Sequence, residues 1–164
     1  MNVTTEALFV NKVAAAIESL YEEDPNMRTQ FILQPSLDDA VAEFVYPQPP
    51  LHDRLKRPKE MQLPGAAGIE YGTLGLQHIE TAGRGDEEGF KGVHCVSNPC
   101  TLKINEMTVG VTSTDVMLHI STDETNANLE PGSRMARMAQ HLLQQRSYYP
   151  LFPPPAAQTM ATNL

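Results

Sequence analysis

The sequence has no tryptophan, only two cysteines, Cys95 and Cys100, and no apolar stretch approaching the roughly 18 residues that a membrane-spanning helix requires. Nor does it open with the charged-then-apolar pattern of a secretory leader. These absences point to a reducing, aqueous compartment, to plain thiols instead of a disulfide, and to no membrane partner. Basic residues are also scarce: 12 Lys and Arg face 20 Asp and Glu, giving a formal net charge of −8. Non-specific affinity for nucleic acid comes mostly from neutralising phosphates, so contact with DNA is expected to be indirect. An acidic surface suits a basic protein partner instead.

Several chemical signatures are missing too. The sequence contains no G-x-x-x-x-G-K-[ST] phosphate loop, no G-x-G-x-x-G, no G-x-S-x-G and no H-E-x-x-H. What it has in quantity is proline, 13 residues, beside 10 glycines, which lowers the expected share of regular structure. The hydrophobic fraction of 41% is still enough for a packed core.

Along the chain, Val10, Val13, Ala14, Ile17, Leu20 and Tyr21 recur at helical spacing and predict a helix from Thr4 to about Glu23. Thr4 or Thr5 can cap it, and Asp24-Pro25-Asn26 ends it. The run Thr29 to Gln34 reads as a strand buried on both faces, as in a parallel sheet flanked by helices. Ser36, just beyond, sits where open α/β sheets place their sites, and it can cap a short helical turn. From Tyr46 to Phe90, prolines and glycines break every period, so a long surface excursion is expected. Val93 to Val96, Thr101 to Ile104 and Thr108 to Thr112 read as a small antiparallel meander. Asp115 is placed to cap a helix over Val116 to Ile120, and a last helix from Arg134 to about Arg146 puts Met135, Met138, Ala139, Leu142 and Leu143 on one face.

Residues able to carry chemistry have duller readings. His94, Cys95 and Cys100 lack the second ligand pair of a structural zinc site, so the cysteines are read as small apolar groups. Asp38, Asp39, Asp115, Asp123 and Glu124 suggest paired carboxylates, yet acidic residues are abundant here and helix caps explain them. His119 and His141 have no nucleophile at a known spacing. The basic cluster Arg54, Lys56, Arg57, Lys59 reads as a solvated loop. No catalytic, cofactor-binding or metal-binding residue is assigned. Taken alone, these readings give an α/β domain without a function.

Three runs go further: Val45-Tyr46-Pro47-Gln48-Pro49-Pro50, Asn98-Pro99-Cys100-Thr101-Leu102-Lys103-Ile104-Asn105, and Gln144-Gln145-Arg146-Ser147-Tyr148-Tyr149-Pro150-Leu151-Phe152-Pro153. With Phe31 to Leu37 and Gly110 to Asp115 they resemble, in order and spacing, the accessory B subunits of replicative DNA polymerases. The Tyr-Pro-Gln-Pro-Pro and Arg-Ser-Tyr-Tyr-Pro runs look like the alpha type more than delta or epsilon. The resemblance implies a nuclear, non-catalytic subunit that scaffolds the carboxyl-terminal domain of the polymerase alpha catalytic subunit, with primase reached indirectly, in initiation of DNA replication. It also implies a partial calcineurin-like phosphoesterase sandwich, a mixed sheet with flanking helices lacking its first and last strands. That domain is expected over 1–155 with a long loop at 47–90, and 156–164 as an unstructured tail. Active relatives of that fold carry Gly-Asn-His-Asp where this chain has Gln34-Pro35-Ser36-Leu37, and proline and leucine cannot ligate a metal. Asp38 departs from the basic residue usual in the B subunits. The alternative is a metal-dependent phosphodiesterase or nuclease that keeps Asp38 and Asp39.

Overall fold

The computed structural model describes residues 4–24, 26–53, 74–80, 91–125, 127 and 132–154. The chain forms two compact units and passes between them repeatedly. The first comprises Met1–Leu33, Asp39–Val41 and Pro50–Val96; the second comprises Gln34–Asp38, Ala42–Pro49 and Ser97–Leu164.

The first unit begins with one helical rod made of three parts: α1, Thr5–Phe9; a π-helical segment, Val10–Ala14; and α2, Ala15–Glu23. The Thr4 hydroxyl accepts from the Ala7 N–H at 3.2 Å, and Glu6 lies in the first turn, where a carboxylate opposes the helix dipole. The helix stops at Asp24, whose side chain accepts from the Asn26 N–H at 3.0 Å. The π segment adds one residue to a turn, closed by the Ala15 N–H donating to the Val10 carbonyl. Apolar periodicity carries no mark of it.

Strand β1, Phe31–Leu33, pairs in parallel with β2, Val93–Cys95, with Phe31 opposite Val93. Tyr21 ties α2 to this pair: its hydroxyl lies 2.7 Å from the Thr29 carbonyl oxygen and 3.0 Å from that of Gly92, so one proton serves both. Its ring meets Phe31 edge to face, with centroids 5.8 Å apart. Parallel pairing agrees with the sequence, but burial on both faces does not, because Ile32 is 46% exposed.

The expected surface excursion also needs correction. Within it, α3, Leu76–Glu80, is a core element, and Leu74, Leu76 and Ile79 are buried with Ala14, Ile17, Tyr21 and Val93. Each such aliphatic side chain contributes about 2 kcal/mol on burial. Asp53 holds the turn: one carboxylate oxygen accepts from the Leu74 and Leu76 N–H groups at 2.8 and 3.3 Å, and the other from Gln77 N–H at 3.1 Å. Gly75 takes φ +70 between them, a conformation that glycine adopts without a steric cost. The basic cluster at 54–59 and the tail from 156 lie outside the described residues.

The second unit contains a hairpin of β3, Cys100–Ile104, and β4, Met107–Val111, turned at Asn105 with φ 55, which asparagine tolerates. The meander is thus corrected to a hairpin: Val93–Cys95 leaves it to pair with β1, because its apolar residues serve the core of the first unit. Among the described residues the strands form two separate two-stranded sheets, one parallel and one antiparallel, in a mixed α/β chain.

Helices α4, Val116–Asp123, and α5, Arg134–Gln145, bury Val116, Ile120 and Met138, with Leu142, Tyr149 and Leu151 packed around them. The apolar face of α5 is narrower than its sequence suggests, since Met135 is 59% and Leu143 78% exposed. The Asp115 side chain does not cap α4. Glu124 is the C-cap residue of α4, and its side chain reaches the next helix: Arg134 Nε donates to it at 2.6 Å and Arg137 at 3.5 Å, holding the end of α4 to the start of α5.

Candidate functional site

The strand-end segment that follows β1 lies in the second unit, where three side-chain amides organise it. Gln34 Nε2 donates to the carbonyls of Ser97 at 3.0 Å and Val111 at 3.1 Å, and lies 3.6 Å from Cys100 Sγ. Gln48, 1% exposed, and Asn98, fully buried, exchange two backbone hydrogen bonds of 2.8 and 3.1 Å. Their side chains repeat the pairing, with Asn98 Nδ2 donating to Gln48 Oε1 at 2.8 Å. Both protons of Gln48 Nε2 are used, on the carbonyls of Ser36 and Glu43, each at 2.9 Å. Asn98 Oδ1 accepts from Thr112 Oγ1 at 3.2 Å and from the Ser113 N–H at 3.1 Å, while Ser113 Oγ donates to the Pro35 carbonyl at 2.8 Å. A buried polar network stabilises only when its members are satisfied. This one joins the loops around Pro35, Glu43, Asn98 and Thr112.

The three runs singled out in the sequence meet here. Gln48 of the first run pairs with Asn98 of the second. Tyr46 of the first packs edge-on against Tyr149 of the third, centroids 6.3 Å apart. Tyr148 of the third donates to the Cys100 carbonyl at 2.8 Å, and Thr101 Oγ1 lies 2.6 Å from its hydroxyl. The Tyr148 ring lies over Gly110 so closely that a Cβ there would sit 2.8 Å from the hydroxyl oxygen and 3.0 Å from a ring carbon. Gly110→Ala is therefore expected to push Tyr148 off the hairpin and lower stability by about 1–2 kcal/mol, read as a lower melting temperature, with no further loss when Tyr148→Phe is added. A full additional loss from Tyr148→Phe would contradict the contact.

Tyr149 also reaches His119, whose Nδ1 lies 2.9 Å from the phenol oxygen. Burial raises the Tyr149 pKa, with smaller contributions from the Asp123 carboxylate and Tyr46. Burial raises Tyr46 as well, partly offset by the neighbouring hydroxyls of Thr114 and Thr112. By distance and angle, however, neither Tyr46 Oη nor Thr114 Oγ1 completes a hydrogen bond among the described residues. Tyr21 in the first unit is raised by burial too. Each of these phenols ionises later in the folded chain than near its ordinary 10.0 when unfolded, so above that pH the unfolded state releases protons first. Their contribution to stability is intact below about pH 9 and falls as pH rises through 10 and beyond. A denaturant midpoint that rises over pH 9–11 would contradict this.

Of the carboxylates singled out, Asp38 and Asp115 line one cavity of about 140 Å³ with His119, whereas Glu124 is held by two arginines. Cys95 lies in β2 of the first unit, where burial raises its thiol, and Cys100 lies in β3 of the second; both are free thiols. Among the described residues no three His, Cys, Asp or Glu side chains gather as a metal-binding group. Sequence reasoning did not assign the roles of Gln34, Gln48, Asn98 and Asp53. The signal for the first three was their place inside the quoted runs; nothing local marked Asp53, whose partners lie 21–24 residues away.

Residues 1–163 match the family of DNA polymerase alpha/epsilon B subunits. The chain is 33% identical over 140 residues to the DNA polymerase alpha B subunit of Bos taurus, a match that covers 84% of this chain and 18% of that protein. It is 42% identical over 59 residues to the Schizosaccharomyces pombe protein of the same name, covering 36% of this chain and 10% of the relative. Against the Saccharomyces cerevisiae counterpart it is 26% identical over 151 residues, covering 92% and 16%. The chain thus spans about 18% of the length of the mammalian relatives it matches. With the family match running over residues 1–163, the chain belongs to the DNA polymerase alpha/epsilon B-subunit family.

Proposed function

We propose that this chain is part of a non-catalytic accessory subunit of the DNA polymerase alpha-primase complex, acting in the nucleus. It scaffolds the carboxyl-terminal domain of the catalytic subunit, links it indirectly to primase, and meets DNA only indirectly. The observation that carries this reading is the family match over residues 1–163, supported by relatives named as the B subunit of DNA polymerase alpha. The net charge of −8 suits a protein partner better than nucleic acid.

The reading includes a partial calcineurin-like phosphoesterase sandwich over 1–155, lacking its first and last strands, with the 47–90 link interrupted by α3 and with 156–164 as a tail. It also includes the absence of a catalytic or metal centre. Two-metal phosphoesterase chemistry needs carboxylate and imidazole donors at the strand end. Here Gln34 is turned to backbone carbonyls, Pro35 is buried and Leu37 has no donor atom. This donor set does not fit a metal pair.

Co-expression of the chain, in its full-length natural form, with the carboxyl-terminal domain of the polymerase alpha catalytic subunit tests the reading. A stable complex through affinity purification and gel filtration is expected. Separate elution of the two proteins would overturn it.

A further inference from the structure

The cavity beside the amide network combines two kinds of surface. Leu37 and Phe44 supply apolar walls, with Phe44 54% exposed, and Asp38 and Asp115 supply two exposed carboxylates. Neither carboxylate has an ion-pair partner among the described residues. His119, the remaining titratable group of the lining, has its Nδ1 occupied by the Tyr149 hydroxyl.

An anion is repelled from such a site. A purely apolar group would desolvate two carboxylates without compensation. A bare divalent ion would want more oxygen donors than two carboxylates, and no three acidic, thiol or imidazole groups gather here among the described residues. What fits both surfaces is a side chain with an apolar stem and a cationic end. Arginine fits better than lysine, because its planar guanidinium stacks on an exposed aromatic ring and forks onto carboxylates.

We propose that this cavity receives an arginine side chain presented by the protein's polypeptide partner, with Asp38 and Asp115 as its counter-charges and Phe44 as its stacking face. The partner's identity rests on the accessory-subunit reading; the pocket's chemistry does not.

The test measures the affinity of the full-length subunit for the polymerase alpha catalytic chain at about 50 and 200 mM salt. Wild type is compared with Asp38→Asn combined with Asp115→Asn, and with Phe44→Ala. Both aspartates are exposed, so a melt like that of wild type is expected; Asp38→Asn alone serves if the double variant melts lower. The double variant is expected to weaken binding by at least about tenfold at the lower salt and to flatten its salt dependence. Phe44→Ala is expected to weaken binding with the salt dependence kept. If wild type binds and the double variant binds equally well with the same salt dependence, the pocket proposal fails and the accessory-subunit reading stands. If wild type does not bind, that reading fails, and the partner assigned to the pocket fails with it. Loss of the aspartate effect on adding a chelator would replace the arginine by a metal ion and overturn the proposal.

Discussion

Gln48→Glu is expected to lower the unfolding free energy by at least about 3 kcal/mol, although it changes a single NH₂ group to oxygen. Both protons of that NH₂ end on carbonyl oxygens, those of Ser36 and Glu43, at 2.9 Å each. A carboxylate in its place sets lone pairs against lone pairs and places an unpaired charge at a residue only 1% exposed. Asn98→Asp repeats the conflict from the other side, because its Nδ2 donates to Gln48 Oε1. Gln48→Met removes the bonds without adding charge and is expected to cost less. The sign of the pH dependence separates the two cases. A carboxyl buried here has a pKa raised above its unfolded value, so the Gln48→Glu defect shrinks as the pH is lowered through the raised pKa, whereas the Gln48→Met defect does not depend on pH. Urea midpoints at pH 5 and pH 8 read the difference. Equal stability of Gln48→Glu and wild type at pH 8 would mean that the amide network contributes nothing.

Ile79→Ala is the second large effect, about 3 kcal/mol, because the side chain is fully buried among Ala14, Ile17, Tyr21 and Val93 and leaves a cavity behind. Leu143→Ala removes an equally apolar side chain that is 78% exposed, and should change stability by less than about 0.5 kcal/mol. Thermal melts of the two variants beside wild type check the contrast. It runs against the sequence pattern, in which Leu143 sits on a regular helical stripe and Ile79 sits in a stretch broken by proline and glycine.

That inversion shows where the sequence is legible and where it is not. The first helix could be read from its stripe because its burial depends on local spacing, and Ala14, Ile17 and Tyr21 are indeed its buried face. Its π-helical segment could not, since one extra residue in a turn leaves no compositional trace. Strand β2 looked like the first member of a meander because β-branched residues do not state their partner. Its pairing with β1, far earlier in the chain, is decided by tertiary packing. Helix α3 was hidden because a single buried turn needs only Leu74, Leu76 and Ile79, and its cap comes from Asp53 across a long separation. At the candidate site the runs containing Gln48, Asn98 and Tyr148-Tyr149 were visible as a resemblance. Their meeting was not, because amide-to-carbonyl pairing across 50 residues has no period to detect.

The proposed non-catalytic role depends on the strand end at Gln34 to Leu37 supporting loops instead of handling phosphate. A calorimetric titration of the full-length protein with Mn²⁺, run beside an assay of nitrophenyl phosphodiester hydrolysis, tests this most directly. No saturable Mn²⁺ binding and no turnover above the uncatalysed rate are expected. Two ions bound per chain, with hydrolysis abolished by Asp38→Asn or Asp39→Ala, would contradict it.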